Sequence, residues 1–226
     1  MHDLLDNVVW HSLTGAQAHC ASGSGGARRY ARGFSPIVGF ADQHTPDFAA
    51  LRPHCQPDEH FYSDGWAGAP PSGVQIDEES TMFKLVWAAP LPAAKALAPA
   101  VRLRAEHAPQ ALALAQLTRP GPFGIRTIEL GEYFGYFDGP RLIAMAGERM
   151  QAGRYREISG VCTHPDFQGR GLARELMLKL LRRQLQRDQT PFLHVMRDNV
   201  TARAMYLRMG FEIYRESVVR VLSCEP

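Results

Sequence analysis

Apolar positions along this chain recur with two different spacings, and each predicts an element. From Leu172 to Leu185 they fall at Leu172, Leu176, Met177, Leu180, Leu181 and Leu185, with Arg174, Lys179, Arg182, Arg183 and Arg187 off that stripe. Steps of three and four predict an amphipathic helix laid on a sheet. A second helix is predicted over APQALALAQL at 108–117, with Pro109 in its first turn, and a third over NVTARAMYLRM, capped by Asp198 or Asn199 and stopped by Gly210. A short helix is expected from Pro46 to Leu51. Strand-like runs are PIVGFA at 36–41, MFKLVW at 82–87, VRLR at 101–104, EYFGYF at 132–137, RLIAMAGERM at 141–150, REISGVCT at 156–163 and PFLHVM at 191–196. Asp138, Gly139 and Pro140 join two of these into an antiparallel hairpin. A final hairpin is expected over roughly 211–222. In the strand at 156–163, Ile158 and Val161 cannot share one face of a regular strand, which predicts a bulge near Gly160.

Two stretches interrupt the pattern: DGWAGAPPSG at 64–73 reads as a long loop and AAPLPAAKALAP at 88–99 as a linker. They place a boundary near Pro99, giving a smaller α/β unit at 1–90, a linker at 91–98 and a second unit at 99–226. The fold class expected is α+β. GSGG at 23–26 lacks the Lys-Ser/Thr ending of a phosphate loop and reads as a turn.

Composition narrows the function classes. The chain has 226 residues, 45% of them hydrophobic and 21% charged, with a formal net charge of +2. Such a balance gives no reason to expect a nucleic-acid partner, so any anion site must be local. No stretch reaches the length of a membrane span, and MHDLLDNVVW carries acid where a secretory signal would carry base, so no membrane partner and a cytoplasmic location are expected. Cys20, Cys55, Cys162 and Cys224 lie far apart and fit reduced thiols. His54, Cys55 and His60 are close in sequence but lack a second ligand pair with zinc spacing, so no metal is expected.

The most informative stretch is CTHPDFQGRGLAREL at 162–176. Here an apolar strand runs through a loop of two glycines into a helix start, where first-turn amides lack partners and the macrodipole is positive. Gly169 and Gly171 allow a close approach of the main chain to an anion, and Arg170 and Arg174 add charge. A diphosphate suits such a junction. A dinucleotide fingerprint would need a glycine where Arg174 stands, and only about 50 residues follow, too few for the second half of a doubly wound sheet. A P-loop would need a Lys-Ser/Thr pair. A diphosphate held without a metal and without a doubly wound sheet points towards coenzyme A.

Gln168-Gly169-Arg170-Gly171-Leu172-Ala173 resembles the Q/R-x-x-G-x-G/A signature of the GNAT superfamily of acyl-CoA-dependent N-acyltransferases. Asn199, Ala202, Tyr206, Gly210 and Phe211 fit the companion pattern N-x-x-A-x-x-x-Y-x-x-x-G-F. The resemblance covers 99–222. Residues 1–90 match no motif, although relatives such as glycine N-acyltransferase-like proteins carry a degenerate half of the same fold there.

The resemblance implies a strongly bent mixed sheet flanked by helices, in which the strands at 156–163 and 191–196 diverge to admit pantetheine. It implies acetyl-CoA, or another acyl-CoA, as co-substrate and a small-molecule or peptide amine as acceptor. Backbone groups of Val161 would stabilise the thioester carbonyl as it gains charge, and those of Cys162 and Thr163 would pair with the pantetheine amides. Gln168 through Arg174 would hold the diphosphate, and Asn199 and Tyr206 would line the same site. An alkylamine is largely protonated at neutral pH, so a base is needed. Glu157 stands where several members carry a catalytic glutamate, and partial burial is expected to raise its proton affinity. Tyr206 would protonate the departing thiolate. Cys162 with His164 offers a covalent alternative, disfavoured because buried strand cysteines are inert, and His194 could reach the acceptor or be a hydrogen-bonded core histidine. The acceptor pocket is expected from the loop 118–131 with Phe123, Glu129 and Tyr133.

Three functions follow: an N-acyltransferase acting by direct attack, a non-catalytic CoA-binding or regulatory module, and a mononucleotide-binding protein using the same loop. A homodimer is compatible with the sequence and not specified by it.

Overall fold

The computed structural model describes residues 4–90 and 99–224, so the expected linker at 91–98 lies outside the described residues. Five strands come from the first part of the chain: β1 (Ala21–Ser22), β2 (Ala27–Tyr30), β3 (Ile37–Phe40), β4 (His60–Asp64) and β5 (Val74–Trp87). Helices α1 (Val8–Thr14) and α2 (Phe48–Leu51) lie among them. The second part supplies β6 (Val101–Arg102), α3 (Ala108–Thr118), β7 (Tyr133–Asp138), β8 (Arg141–Ala152), β9 (Tyr155–Thr163), α4 (Leu172–Leu185), β10 (Thr190–Met196), α5 (Val200–Met209) and β11 (Phe211–Cys224).

All eleven strands join one curled sheet in the order β1-β2-β3-β4-β11-β5-β10-β9-β8-β7-β6. It is mixed: β3 runs parallel to β4 and β9 parallel to β10, and the other neighbours are antiparallel. The sheet continues through the expected boundary near Pro99. Strand β5 lies between β10 and β11, pairing Phe83 with Val195 on one side and Phe211 with Trp87 on the other. A division at residue 99 therefore divides the chain and leaves the sheet whole.

The expected final hairpin is a single strand. β11 runs from Phe211 to Cys224 and bends at Tyr214, where the register against β5 slips by one residue. It needs no hairpin partner of its own because β5 covers one edge and β4 the other. β5 also begins eight residues before the apolar run MFKLVW. Its first half, QIDEES, is largely exposed and carries too few apolar side chains to show a strand period.

On one face of the sheet, α4 buries Leu176, Met177, Leu180 and Leu181 against Ile158, Leu193, Val195, Leu85 and Phe134. The six apolar positions of the predicted stripe thus point to a single core. Two arginines off the stripe are not free for a polyanion. Arg183 makes two hydrogen bonds to Glu132, of 2.6 and 2.7 Å, and Arg187 bonds Glu132 and the buried Glu148. On the opposite face Leu5, ahead of α1, and Val8, Val9 and Leu13 of α1 pack with Tyr30, Met150, Tyr155 and Phe192. Residues of both halves of the chain therefore share one core.

Candidate active site

β9 and β10 are hydrogen-bonded only at Tyr155, Arg156 and Glu157 against Thr190, Pro191 and Phe192. Beyond that they part, leaving a fork whose arms are Ile158–Thr163 and Leu193–Met196. On the other edge of β9 the pairing with β8 jumps from Met145–Cys162 to Gly147–Ser159, so two residues, Gly160 and Val161, face Ala146. This is the bulge expected from the sequence. Gly160 has φ of 62°, a left-handed conformation that a side chain would disfavour, and a Cβ there would lie 3.1 Å from the ring of Tyr133.

The bulge decides which backbone groups face the fork. His164 N–H donates to Ile143 O across the β8 edge at 2.7 Å. Alternation along the strand then turns the backbone groups of Cys162 to β8 as well, and those of Val161 and Thr163 to the fork. The expectation that Cys162 supplies main-chain bonds to a pantetheine arm is corrected by this parity. Its thiol is equally withdrawn: it is buried in the cluster of Leu103, Ala111 and Leu114 beside α3, where burial pushes its pKa up to about 11. A thiol so held is no nucleophile. Thr163 O accepts from Gln168 Nε2 at 3.4 Å, leaving its N–H for the fork.

Beyond the fork, a short 3-10 turn at Pro165–Phe167 leads into the glycine loop. Gly169 and Gly171 have φ of 75° and 79°, and a Cβ on either would meet no atom of the described residues within 4 Å. The loop is open to an incoming group and is shaped by a backbone that other residues adopt poorly. Glu175 N–H closes the first turn of α4 on Gly171 O, which leaves the amides of Leu172, Ala173 and Arg174 without intrahelical acceptors. Gln168 N–H is already taken by Pro165 O at 3.3 Å. Arg170 lies over the ring of Phe167, 4.7 Å from its centroid, so its guanidinium stays along the rim. An open set of convergent amides at a positive helix end fits a diphosphate.

The side chains at the base of the fork form a buried ladder. Glu157, 1% exposed, accepts from Arg149 Nε at 2.8 Å and Nη2 at 2.6 Å, from Met150 N–H at 3.3 Å, and bonds His194 Nδ1 at 2.8 Å. Burial alone would raise its proton affinity. The bidentate Arg149 and the bond to His194 outweigh burial and hold the carboxyl well below the usual range. The expectation of a glutamate with raised proton affinity is therefore corrected: Glu157 is a fixed anion. The apolar strand around Glu157 is visible in the sequence, whereas the arginine one strand away comes beside it only in the fold.

That anion defines His194. Its bond to Glu157 places the imidazole proton of the neutral form on Nδ1, and the lone pair on Nε2. Nε2 is buried and has no hydrogen-bond partner among the described residues. On the neighbouring strand β5, Lys84 is the register partner of His194. Lys84 is fully buried, donates to Leu5 O at 2.8 Å and lies 3.4 Å from Asp64 Oδ2. Burial lowers its pKa against the pull of Asp64. Asp64 in turn accepts from Ser217 Oγ at 2.5 Å. The ladder Arg149, Glu157, His194, Lys84, Asp64 thus alternates sign around one imidazole and draws on β8, β9, β10, β5 and β4.

Tyr133 reaches the same place from β7. Its ring lies over Gly147 of β8, where a Cβ would come within 2.1 Å of it, and its hydroxyl would be 3.5 Å from a Cβ on Gly160. The hydroxyl is buried without a hydrogen-bond partner among the described residues, and burial holds its proton firmly. Phe123 meets the Tyr133 ring edge-on at 5.9 Å, so two of the three residues named for the acceptor pocket stand at the bulge. Glu129 does not join them; it is tied to Arg126 by hydrogen bonds of 2.8 to 3.2 Å on the surface.

Tyr206 of α5 is buried against Phe211, with ring centroids 6.1 Å apart, and burial pushes its pKa up to about 12. Asn199 caps α5, accepting from Ala202 N–H at 3.1 Å. His164 is committed to Asp166 N–H and Arg141. His54, Cys55 and His60 separate: His54 bonds Ser22, Cys55 faces Cys224, and His60 pairs with Asp77. Arg149, Lys84, Asp64 and Gln17, whose amide donates to Arg149 O at 2.6 Å, were missed by sequence reasoning. Charged residues inside apolar strands, Lys84 in MFKLVW and Arg149 in RLIAMAGERM, were the available signal.

Residues 133–221 match the family model described as FR47-like protein. A protein described as a GNAT-family acetyltransferase from Novosphingobium aromaticivorans DSM 12444 is 30% identical over the full length of both chains, with a TM-score of 0.89. A GCN5-related N-acetyltransferase from Kribbella flavida shares the fold at 14% identity and a TM-score of 0.60, covering 95% of this chain and 93% of its own. An acetyltransferase from Colwellia psychrerythraea does so at 12% identity and a TM-score of 0.53, covering 99% and 98%. Comparison with curated proteins gave no match.

Proposed function

The chain belongs to the GNAT family, and from that premise we propose that it is an N-acyltransferase using acetyl-CoA, or another acyl-CoA, and a primary amine as acceptor. The observation that supports this reading is the fork between β9 and β10, with a backbone anion cradle at its mouth and a polarised imidazole at its base. Acetyl-CoA, as co-substrate, supplies the activated thioester. Amides of Gly169 to Arg174 hold its diphosphate, and the fork-facing amides of Val161 and Thr163 serve the arm and the thioester carbonyl.

His194 accepts the proton of the attacking amine at Nε2, directly or through water. Glu157 keeps the proton of the neutral ring on Nδ1 and stabilises the imidazolium once it forms, while Arg149 fixes Glu157. Glu157 is thus a positioning residue. Tyr206, with its proton held by burial, donates to the departing thiolate. Tyr133 and Phe123 bound the space at the bulge where the acceptor nitrogen must arrive.

A thiol-release assay with acetyl-CoA and a panel of primary amines tests the reading. Amine-dependent CoA release supports it. Tight acetyl-CoA binding with no release across the panel overturns it in favour of a non-catalytic binding module.

A further inference from the structure

Away from the fork, at the far end of the sheet, two cysteines 169 positions apart meet with their sulfurs 2.6 Å from one another. Cys55 follows the 3-10 turn Arg52–His54, and Cys224 ends β11. Both line a cleft of about 440 Å³ with Arg52, Gln56, Pro57, Ser72 and Gly73. Cys20 and Cys162 are buried, as is Cys224, but unlike the pair they lie outside the cleft. No part of the acyl-transfer reading uses this pair.

We infer that Cys55 and Cys224 form a reactive dithiol that a hydroperoxide entering this cleft oxidises to a reversible disulfide. The two sulfurs are not equivalent. The Cys55 thiol, Arg52 and Arg29 favour the Cys224 thiolate over burial and bring its pKa to about 7, while that of Cys55 is raised. Cys224 is the attacking sulfur and Cys55 the resolving one.

The chemistry balances with hydrogen peroxide as oxidant. The Cys224 thiolate attacks one peroxide oxygen; the S–O bond forms, the O–O bond breaks, and the departing hydroxide takes up a proton to become water. Cys55 sulfur then attacks the sulfenic acid, forming S–S and breaking S–O. The second hydroxide takes the Cys55 proton, so two thiols and one peroxide give one disulfide and two waters. Their present contact needs little more than half an ångström of closure to reach the ~2.05 Å of a disulfide.

The test treats the native full chain with one equivalent of hydrogen peroxide, alkylates remaining thiols and maps peptides by mass. A Cys55–Cys224 cross-linked peptide lighter by two hydrogens is expected, with Cys20 and Cys162 still reduced. The closed loop should raise Tm by at least about 5 °C, reversed by dithiothreitol. In Cys55→Ser, Cys224 should accumulate as a sulfenic acid trapped by a cyclic diketone. In Cys224→Ser, Cys55 should stay reduced. Two intact thiols after peroxide treatment, or over-oxidised Cys224 without a cross-link, would overturn the proposal. The mapping uses the unsubstituted chain, so a variant that folds poorly leaves the answer intact.

Discussion

The glycine loop and the buried ladder stand at opposite ends of one fork and are built on opposite terms. The loop presents main-chain amides at an open surface, with Gly169 and Gly171 at φ of 75° and 79° and no described atom over either. The ladder is made of charged side chains almost wholly removed from water, around Glu157 at 1% exposure and Lys84 at 0%. A backbone cradle tolerates solvent because its donors are re-satisfied by water when it is empty. A buried charge has no such alternative and must be paired within the protein. Substitutions should therefore weaken ligand binding in the loop and both stability and turnover in the ladder.

The largest stability effect should come from Glu157→Gln. It leaves Arg149 as an uncompensated buried cation, and unfolding in urea should show a loss of about 3–5 kcal/mol. Replacing Arg149 by Met and Glu157 by Leu together should recover most of that loss, because the pair is then removed whole. The pH dependence has a definite sign. Glu157 has a folded-state pKa below its ordinary 4.5, so its contribution is fully present above that value and declines as pH falls below it. The stability gap between the unsubstituted chain and Glu157→Gln should accordingly narrow in acid; a gap that widened would mean the carboxyl is not a paired anion.

Next in size is His194→Ala, for which kcat should fall by about 100-fold or more while the Kd for acetyl-CoA stays within a factor of about three. An equal loss in Glu157→Gln after stability is allowed for, together with near-normal turnover in His194→Ala, would return the base to the glutamate. Gly169→Ala should cost roughly 1 kcal/mol of backbone strain and weaken acetyl-CoA binding about tenfold with kcat retained, as calorimetry and initial rates would show. The smallest effect belongs to Asn199→Ala, where loss of the cap should lower stability by about 1 kcal/mol and leave acetyl-CoA affinity almost unchanged. A large affinity loss there would give Asn199 a ligand contact as well as a cap.

The same contrast explains how much was legible in the sequence. Loop, cap and bulge are local: Gly169 and Gly171 before an amphipathic run, Asn199 before α5, and the parity conflict of Ile158 and Val161 each state a backbone requirement within a few residues. Helix α4 was readable to its end residues because its stripe faces one core. The ladder was not readable, since its five side chains come from five strands and both halves of the chain. Lys84 and Arg149 look like breaks in apolar runs until β5 is known to lie against β10, and β8 against β9. The continuity of the sheet was hidden for a related reason: the polar first half of β5 has no strand period, although β11 pairs along its whole length. Strand parity, finally, moved Cys162 from the fork to the β8 edge, which the residue's position in the motif could not reveal.

The central claim is that main-chain amides at the start of α4 grip the diphosphate of acetyl-CoA. Backbone amide resonances recorded during titration with acetyl-CoA test it residue by residue. The largest shifts should fall on Gly169 through Arg174, followed by Val161 and Thr163, with Cys162 and the amides around Cys55 nearly still. Shifts centred elsewhere, with the α4 amides unmoved at saturation, would contradict it.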